Sequence, residues 1–244
     1  MTHDLIELIL TNRRWVTPRV LELTFGRADG QVFSYIPGQF MTLHLDGPDG
    51  EIRRSYSIAS RDGAPDRIAI ALTQVTGGRA TEILTRLEPS DRVRATGPFG
   101  RFILREDTGM DYLLAATGTG VSPYRAMLGL LERRLDTSTC EIRLLLGVRN
   151  PEELLYGEDF LALAQRSPRF RFEACLSRTL SDPPAPHERK GYVQEILKKL
   201  PLDPARHIVY LCGNPDMIDT SLNHLKGLGF PLPSIRREKY LSSN

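Results

Sequence analysis

Cysteine is scarce: Cys140, Cys175 and Cys212 stand singly in 244 residues. That excludes a disulfide framework and any cysteine-rich iron–sulfur or zinc motif within the chain. It also makes a reducing cytoplasm the natural setting. No uninterrupted apolar run approaches the roughly 20 residues that cross a bilayer, so no membrane association is expected. The opening "MTHDLIELIL" lacks a basic n-region and a small-residue cleavage site, and does not read as a signal peptide. Neither sign of charge dominates, since 32 Lys and Arg face 30 Asp and Glu for a net +2. That is too mild to argue for nucleic acid but compatible with an acidic protein partner. The histidines, His3, His44, His187, His207 and His224, are dispersed without metal-ligand spacing, so no metal is expected. What is present, 41% hydrophobic and 25% charged residues, is ordinary globular material, enough for one large domain or two compact ones.

The chain changes character near residue 105. Before it, "RVLELTFG", "QFMTLHLDGPDG", "RRSYSIAS", "RIAIALTQVTGG" and "DRVRATGPFG" follow at about ten-residue spacing, the rhythm of an all-β barrel or sandwich. Within them "ATEILTRLEPSD" reads as one helix, with Ile83, Leu84 and Leu87 at helical spacing and Pro89 ending it. From Asp111 onward, apolar strands alternate with amphipathic helices: "YLLAA" with "YRAMLGLLERRL", "EIRLLLGV" with "EELLYGEDFLALAQ", "FRFEACLS" with "YVQEILKKL", and "HIVYLCG" with "DMIDTSLNHLKGL". That alternation predicts a parallel sheet covered on both faces. The expected architecture is two-domain, β plus α/β: an N-terminal antiparallel β-barrel over 1–104 and a C-terminal doubly wound parallel α/β sheet over 105–244. The Pro-rich loop "SDPPAPHERK" reads as mobile.

In the second half, "YLLAATGTGVSPYRAML" runs from a buried strand through a glycine-rich turn into a helix. Thr117, Gly118, Thr119 and Gly120 would let backbone approach a ligand at a helix N-terminus with free N–H groups. An open parallel sheet binds nucleotides at such a place, outside the carboxyl ends of its strands. The glycine pair by itself is equally consistent with a tight structural turn. Two further strand ends add to it. Ser177 and Arg178 end one strand, and Lys190 follows the loop; arginine as a fork and lysine as a point charge suit a phosphate monoester. Tyr192 offers a face to an adenine ring. Taken singly, Arg178 and Lys190 also read as solvated charges. In "YLCGNP", Cys212 and Gly213 leave room for a flat ring, although Cys212 is equally readable as a small buried hydrophobe.

In the first half, "RRSYSIAS" puts Arg54, Tyr56 and Ser57 where a plain strand would carry Val or Ile. Arg54 would neutralise a diphosphate, Tyr56 offer a flat face, and Ser57 a hydrogen bond to the reactive edge of a flavin. "TGGRATEIL" sets Gly77, Gly78 and Thr81 at a second helix start of the anion-binding kind. Two such devices on two domains are hard to reconcile with a single nucleotide.

Taken in order, these motifs resemble the ferredoxin–NADP reductase family, and most closely its bacterial ferredoxin (flavodoxin) NADP reductases. The resemblance rests on R-x-Y-S at Arg54–Ser57, the glycine-rich segment with Thr81, and G-P-x-G at Gly97–Gly100. It continues through G-T-G-x-x-P at Gly118–Pro123, S-R at Ser177–Arg178 and C-G-N-P at Cys212–Pro215. It implies FAD on the barrel, NADP(H) as substrate on the α/β domain, and the two rings meeting at an interdomain cleft. Arg54, Tyr56, Ser57, Gly78 and Thr81 become flavin ligands. Thr117 through Gly120 contact the nucleotide, Ser177, Arg178, Lys190 and Tyr192 hold its 2′-phosphate and adenine, and Cys212 and Gly213 border the nicotinamide. The segment "KGYVQ" resembles that of NADP-specific members. Two departures stand out: Tyr192 occupies a position where an arginine is frequent, and Tyr240, placed near the flavin, is followed by "LSSN" with Leu241 where an aromatic often sits.

The implied reaction is hydride transfer between nicotinamide and flavin, then single-electron exchange with ferredoxin or flavodoxin. Ser57 and Cys212 are the residues expected to affect the hydride step. Arginines such as Arg92, Arg94 or Arg101 offer docking points for an acidic carrier, although each reads more readily as a solvated surface charge, and the protein is expected to be a cytoplasmic monomer. The alternatives are a free flavin reductase and a non-catalytic nucleotide-binding redox module.

Overall fold

A computed structural model describes residues 4–61, 65–106 and 109–240; His3 and the tail from Leu241 lie outside them. The chain falls into two compact units. One holds the residues up to Leu104 together with 122–129; the other holds Arg105–Val121 and the residues from Leu130 on.

The first unit is a six-stranded antiparallel sheet of β1 (Ile6–Thr17), β2 (Val20–Arg27), β3 (Phe40–Gly47), β4 (Gly50–Ser57), β5 (Arg67–Thr73) and β6 (Arg92–Phe99). Their order is β4-β3-β6-β1-β2-β5. A bridge between Ile58, just past β4, and Ile70 of β5 joins the two outer strands, so the sheet curls into a barrel. Leu8, Leu23, Phe25, Leu43, Ile58 and Ile70, all fully buried, fill it. The helix α1 (Arg79–Arg86) caps this core with Ala80 and Leu84. Its chain is already extended at Leu87, two residues before Pro89. β1 was not foreseen. Its apolar alternation of Ile6, Leu8 and Leu10 is broken by register shifts at Leu10–Asn12 and Trp15–Thr17, and such bulges hide a strand from a period-two reading.

The second unit is a parallel sheet of β7 (Asp111–Thr117), β8 (Ile142–Val148), β9 (Phe170–Leu176), β10 (Glu188–Lys190), β11 (His207–Gly213) and β12 (Ile235–Lys239), in the order β10-β9-β8-β7-β11-β12. The helices beyond β7 are α2 (Ser122–Ala126), which belongs to the first unit, and α3 (Leu128–Thr137), α4 (Gly157–Arg166), α5 (Val193–Leu197) and α6 (Pro215–Gly227). Leu113, Leu145 and Leu211 pack against α5 and α6 on one face, while the alternate residues Leu114, Leu144 and Leu146 are equally buried. Burial on both faces is why these strands read as continuous apolar runs. The chain leaves β7 in one direction for β8 and returns on its other side as β11. The ends of β7 and β11 therefore flank the topological switch point, where such sheets bind ligands.

α2 groups with the barrel, because Arg125 Nη1 donates to Glu22 Oε2 (3.2 Å) and to the Ala59 carbonyl (2.9 Å). Arg14 Nε takes the other Glu22 oxygen at 2.7 Å. The two arginines offset the cost of burying the Glu22 carboxylate. The loop read as mobile is folded back on itself, with Ser181 bonded to Glu188.

Candidate cofactor and nucleotide sites

On β4, Ile52, Arg54 and Tyr56 share one face by the two-residue pleat. Ile52 and Tyr56, like Ile83 of α1, pack against the cluster that contains Ala80 and Leu84 of that helix. The fold thus puts Arg54 on the strand face shared with that helix. At the start of α1, Gly78 is the N-cap and provides no side-chain hydrogen bond, so the first-turn N–H groups have no cap of that kind. A side chain at Gly77, where φ is +74°, would meet nothing within 4 Å. Arg79 reaches Asp49 at 2.9 Å, fixing the helix start over the β3–β4 turn. A cation and an uncapped helix start together suit a diphosphate, and Tyr56 offers a flat face beside them. Ser57 ends β4 and is 6% exposed.

Burial pushes the Tyr56 phenol up to about 12 despite the opposing charge of Arg54, so the ring stays neutral. Burial likewise pushes the Cys175 thiol up to about 12, aided by the charge of Glu173. Both folded pKa values are raised, so the stability they confer is complete below the unfolded values, 9.0 for the thiol and 10.0 for the phenol, and is lost as pH climbs toward 12. At about 1.4 kcal/mol per unit, each group is expected to take away on the order of 3 kcal/mol by the top of that range. Urea midpoints measured from neutral to strongly alkaline pH check this. Tyr56→Phe and Cys175→Ala should each flatten the alkaline limb, and an unchanged limb in both would refute the assignment.

In the α/β unit every candidate residue sits at the carboxyl ends of the strands. After β7 the chain makes a 3₁₀ turn over Gly118–Val121, where a glycine-rich turn is expected, and the single helix expected beyond it is split into the short α2 and α3. Gly118 has φ +51° and open space over it, whereas Gly120 is buried, and a side chain there would stand 2.6 Å from the Cys212 carbonyl. Gly120 therefore serves backbone-to-backbone packing, and the open glycine is Gly118. Thr119 lies between them, half-buried. Thr117 Oγ1 accepts the Asn214 N–H at 2.8 Å, tying β7 to β11. Asn214 in turn caps α6 through the N–H groups of Asp216 and Met217.

Cys212 is fully buried, and burial raises its thiol well above the usual range. The charge of Glu238, directly opposite in register on β12, raises it further, while a hydrogen bond with the Tyr240 side chain opposes both. Cys212 is thus a neutral thiol. The Tyr240 N–H donates to the Gly213 carbonyl at 2.9 Å, which places Tyr240 against Cys212 and Gly213. Glu238 escaped sequence reading because β12, "IRREK", shows no strand pattern.

Three adjacent strand ends carry cations. Arg178 follows β9, Lys190 ends β10 opposite Leu176, and Arg149 follows β8. The Arg149 carbonyl accepts the Arg178 N–H at 2.9 Å, and Thr179 Oγ1 donates to Asn150 Oδ1 at 2.6 Å. Lys190 Nζ donates to the Arg178 carbonyl. Ser177 sits at the root of this group, its hydroxyl reaching the Val148 carbonyl at 3.4 Å. Tyr192, the N-cap residue of α5, is 62% exposed, leaving its ring accessible next to Lys190. Arg149 was missed because only the strand order makes β8 the neighbour of β9. Of the docking arginines, Arg92 is held by Glu7 and Arg94 by Asp46, and Arg101 is exposed.

These are the two halves of a dinucleotide-dependent flavin oxidoreductase, and comparison with known proteins agrees. Residues 7–103 match the family of oxidoreductase FAD-binding domains and residues 114–222 that of oxidoreductase NAD-binding domains. The chain is 40% identical to ferredoxin–NADP reductase B of Sorangium cellulosum over 93% of its own length and 94% of the relative. It is 29% identical to the reductase component of propane 2-monooxygenase from Rhodococcus jostii, over 93% of this chain and 61% of that one. A ferredoxin NADP+ reductase from Neisseria gonorrhoeae, solved with bound FAD and NADP, shares the fold: TM-score 0.82, 24% identity, 96% of this chain and 98% of that one. The protein belongs to the ferredoxin–NADP reductase family, and is an FAD-dependent oxidoreductase that uses a nicotinamide nucleotide.

Proposed function

We propose that this chain oxidises NADPH in preference to NADH and passes the electrons through FAD to a ferredoxin or flavodoxin. The observation that carries the nucleotide preference is the trio Arg149, Arg178 and Lys190 on three neighbouring strand ends, with Tyr192 beside them. Strands lie about 4.8 Å apart, so such a trio spans one phosphate monoester. In this reading residues 1–104 bind the flavin and 105–244 the nucleotide. When bound, the flavin accepts hydride from the nicotinamide and releases electrons singly.

The chain's own residues bind and orient. Arg54 and the α1 start hold the flavin diphosphate, with Gly78 and Thr81 forming the turn, and Tyr56 stays a neutral ring against the flavin. Ser57 donates a hydrogen bond to the flavin's reactive edge. Gly118 and Thr119 contact the nucleotide diphosphate, and Ser177 lines the 2′-phosphate subsite. The buried Gly213 and neutral Cys212 back the nicotinamide site from beneath, with Tyr240 against them at its border. Exposed Arg101 is a contact for an acidic carrier. No helix among the described residues is long and apolar enough to cross a membrane. Three free, buried cysteines suit a reducing cytoplasm, and the protein acts as a monomer.

An anaerobic visible spectrum tests the reading. A yellow protein, bleached quickly by NADPH and slowly by NADH, that then reduces added ferredoxin or flavodoxin is the expected result. Flavin lost on gel filtration but used as a substrate would make the chain a free flavin reductase. A protein that takes up no FAD would overturn the assignment.

A further inference from the structure

Arg178 binds more tightly if its backbone is ordered before the nucleotide arrives, and a buried residue that no part of the binding reading uses is placed to order it. Glu188, the first residue of β10, is 8% exposed, yet among the described residues no arginine or lysine pairs with its carboxylate. Instead both oxygens are taken by one residue of the preceding loop: Oε2 accepts the Ser181 N–H at 2.9 Å and Oε1 the Ser181 hydroxyl at 2.6 Å. The neighbouring carboxylate, Glu173, is served separately by Arg143 (3.3 Å) and Arg189 (2.9 Å). β10 is itself anchored to β9, since Ala174 N–H donates to the His187 carbonyl and Gly191 N–H to the Leu176 carbonyl. Ser181 is three residues beyond Arg178. The loop is therefore gripped on both sides of that arginine: by Arg149 and Lys190 at its root, and by Glu188 past it.

A neutral side chain would satisfy Ser181 with ordinary hydrogen bonds. A carboxylate makes them charge-assisted and about twice as strong, which justifies burying it only if loop order matters. Without the latch, the segment must be ordered again each time a ligand binds, at a cost in affinity. We infer that Glu188 is a positioning residue for nucleotide selection: by clamping Ser181 it holds Arg178 in place for the 2′-phosphate. This rests on the reading of Arg178 as the 2′-phosphate ligand.

The test titrates the FAD-loaded protein with 2′-phospho-AMP and, separately, with 5′-AMP in a calorimeter. Glu188→Gln keeps the shape but turns an amide donor toward Ser181. It is expected to weaken 2′-phospho-AMP about tenfold, which is about 1.4 kcal/mol, while 5′-AMP stays within about twofold. Ser181→Ala, at a half-buried loop position, loses only the hydroxyl bond and should shift the same ratio in the same direction by less. Equal weakening of both probes, or no weakening, in either variant overturns the inference. Arg178→Ala separates the two levels. If that variant binds both probes as the unaltered chain does, the 2′-phosphate reading itself falls. If it loses 2′-phospho-AMP selectively while Glu188→Gln does not, only the role of Glu188 falls.

Discussion

Arg178→Ala is expected to raise the Michaelis constant for NADPH about 10- to 100-fold and to leave that for NADH within about twofold. A hydrogen bond to a charged group is worth about 1.5–3 kcal/mol, and each 1.4 kcal/mol is tenfold. Arg178 lies on a loop whose backbone is tied to the Arg149 carbonyl and to Lys190, so removing its guanidinium leaves the loop's hydrogen bonds intact. The loss should therefore sit in binding, with kcat at saturating NADPH unchanged. Arg149→Ala should act in the same direction. Steady-state kinetics with both nucleotides check this, and parallel increases for NADPH and NADH would remove the trio from the 2′-phosphate.

The second large effect is expected at the switch point. Gly213 has φ +115°, and a side chain there would lie 2.5 Å from Thr117 Oγ1 and 2.8 Å from the Thr117 carbonyl. Backbone strain of that kind costs about 1–3 kcal/mol, and the contact with backbone adds to it. The hydroxyl that would be displaced holds the Asn214 N–H, and Asn214 caps α6. Gly213→Ala is therefore expected to cost about 3 kcal/mol or more of stability and to impair NADPH and NADH alike, since it disturbs the floor both share. Gly77→Ala is the control: its φ is also positive, but nothing lies within 4 Å, so about 1 kcal/mol is the expected cost. Urea unfolding of the two variants discriminates strain alone from strain plus collision. A Gly213→Ala protein as stable as Gly77→Ala would show that the ends of β7 and β11 are not interlocked.

The sequence by itself determined the division into a β half and an α/β half, because the two kinds of strand bury different numbers of faces. In the barrel β3 alternates apolar and polar residues around Leu43, while a doubly covered strand such as "YLLAA" runs apolar without break. It also determined the motif residues, because glycine, arginine and tyrosine at strand ends carry chemistry that local order alone makes visible. Only the tertiary structure decided what depends on which strand lies beside which. β1 emerged through its pairing with β2 and β6, its pattern being interrupted by bulges. Arg149 joined Arg178 because β8 borders β9, and Glu238 came to face Cys212 because β12 pairs with β11. Gly120 changed meaning for the same reason: its neighbour is the Cys212 carbonyl, 92 residues away in the chain. Such contacts arise from strand order and register, which hydrogen bonding between distant segments fixes and which no local run of residues encodes.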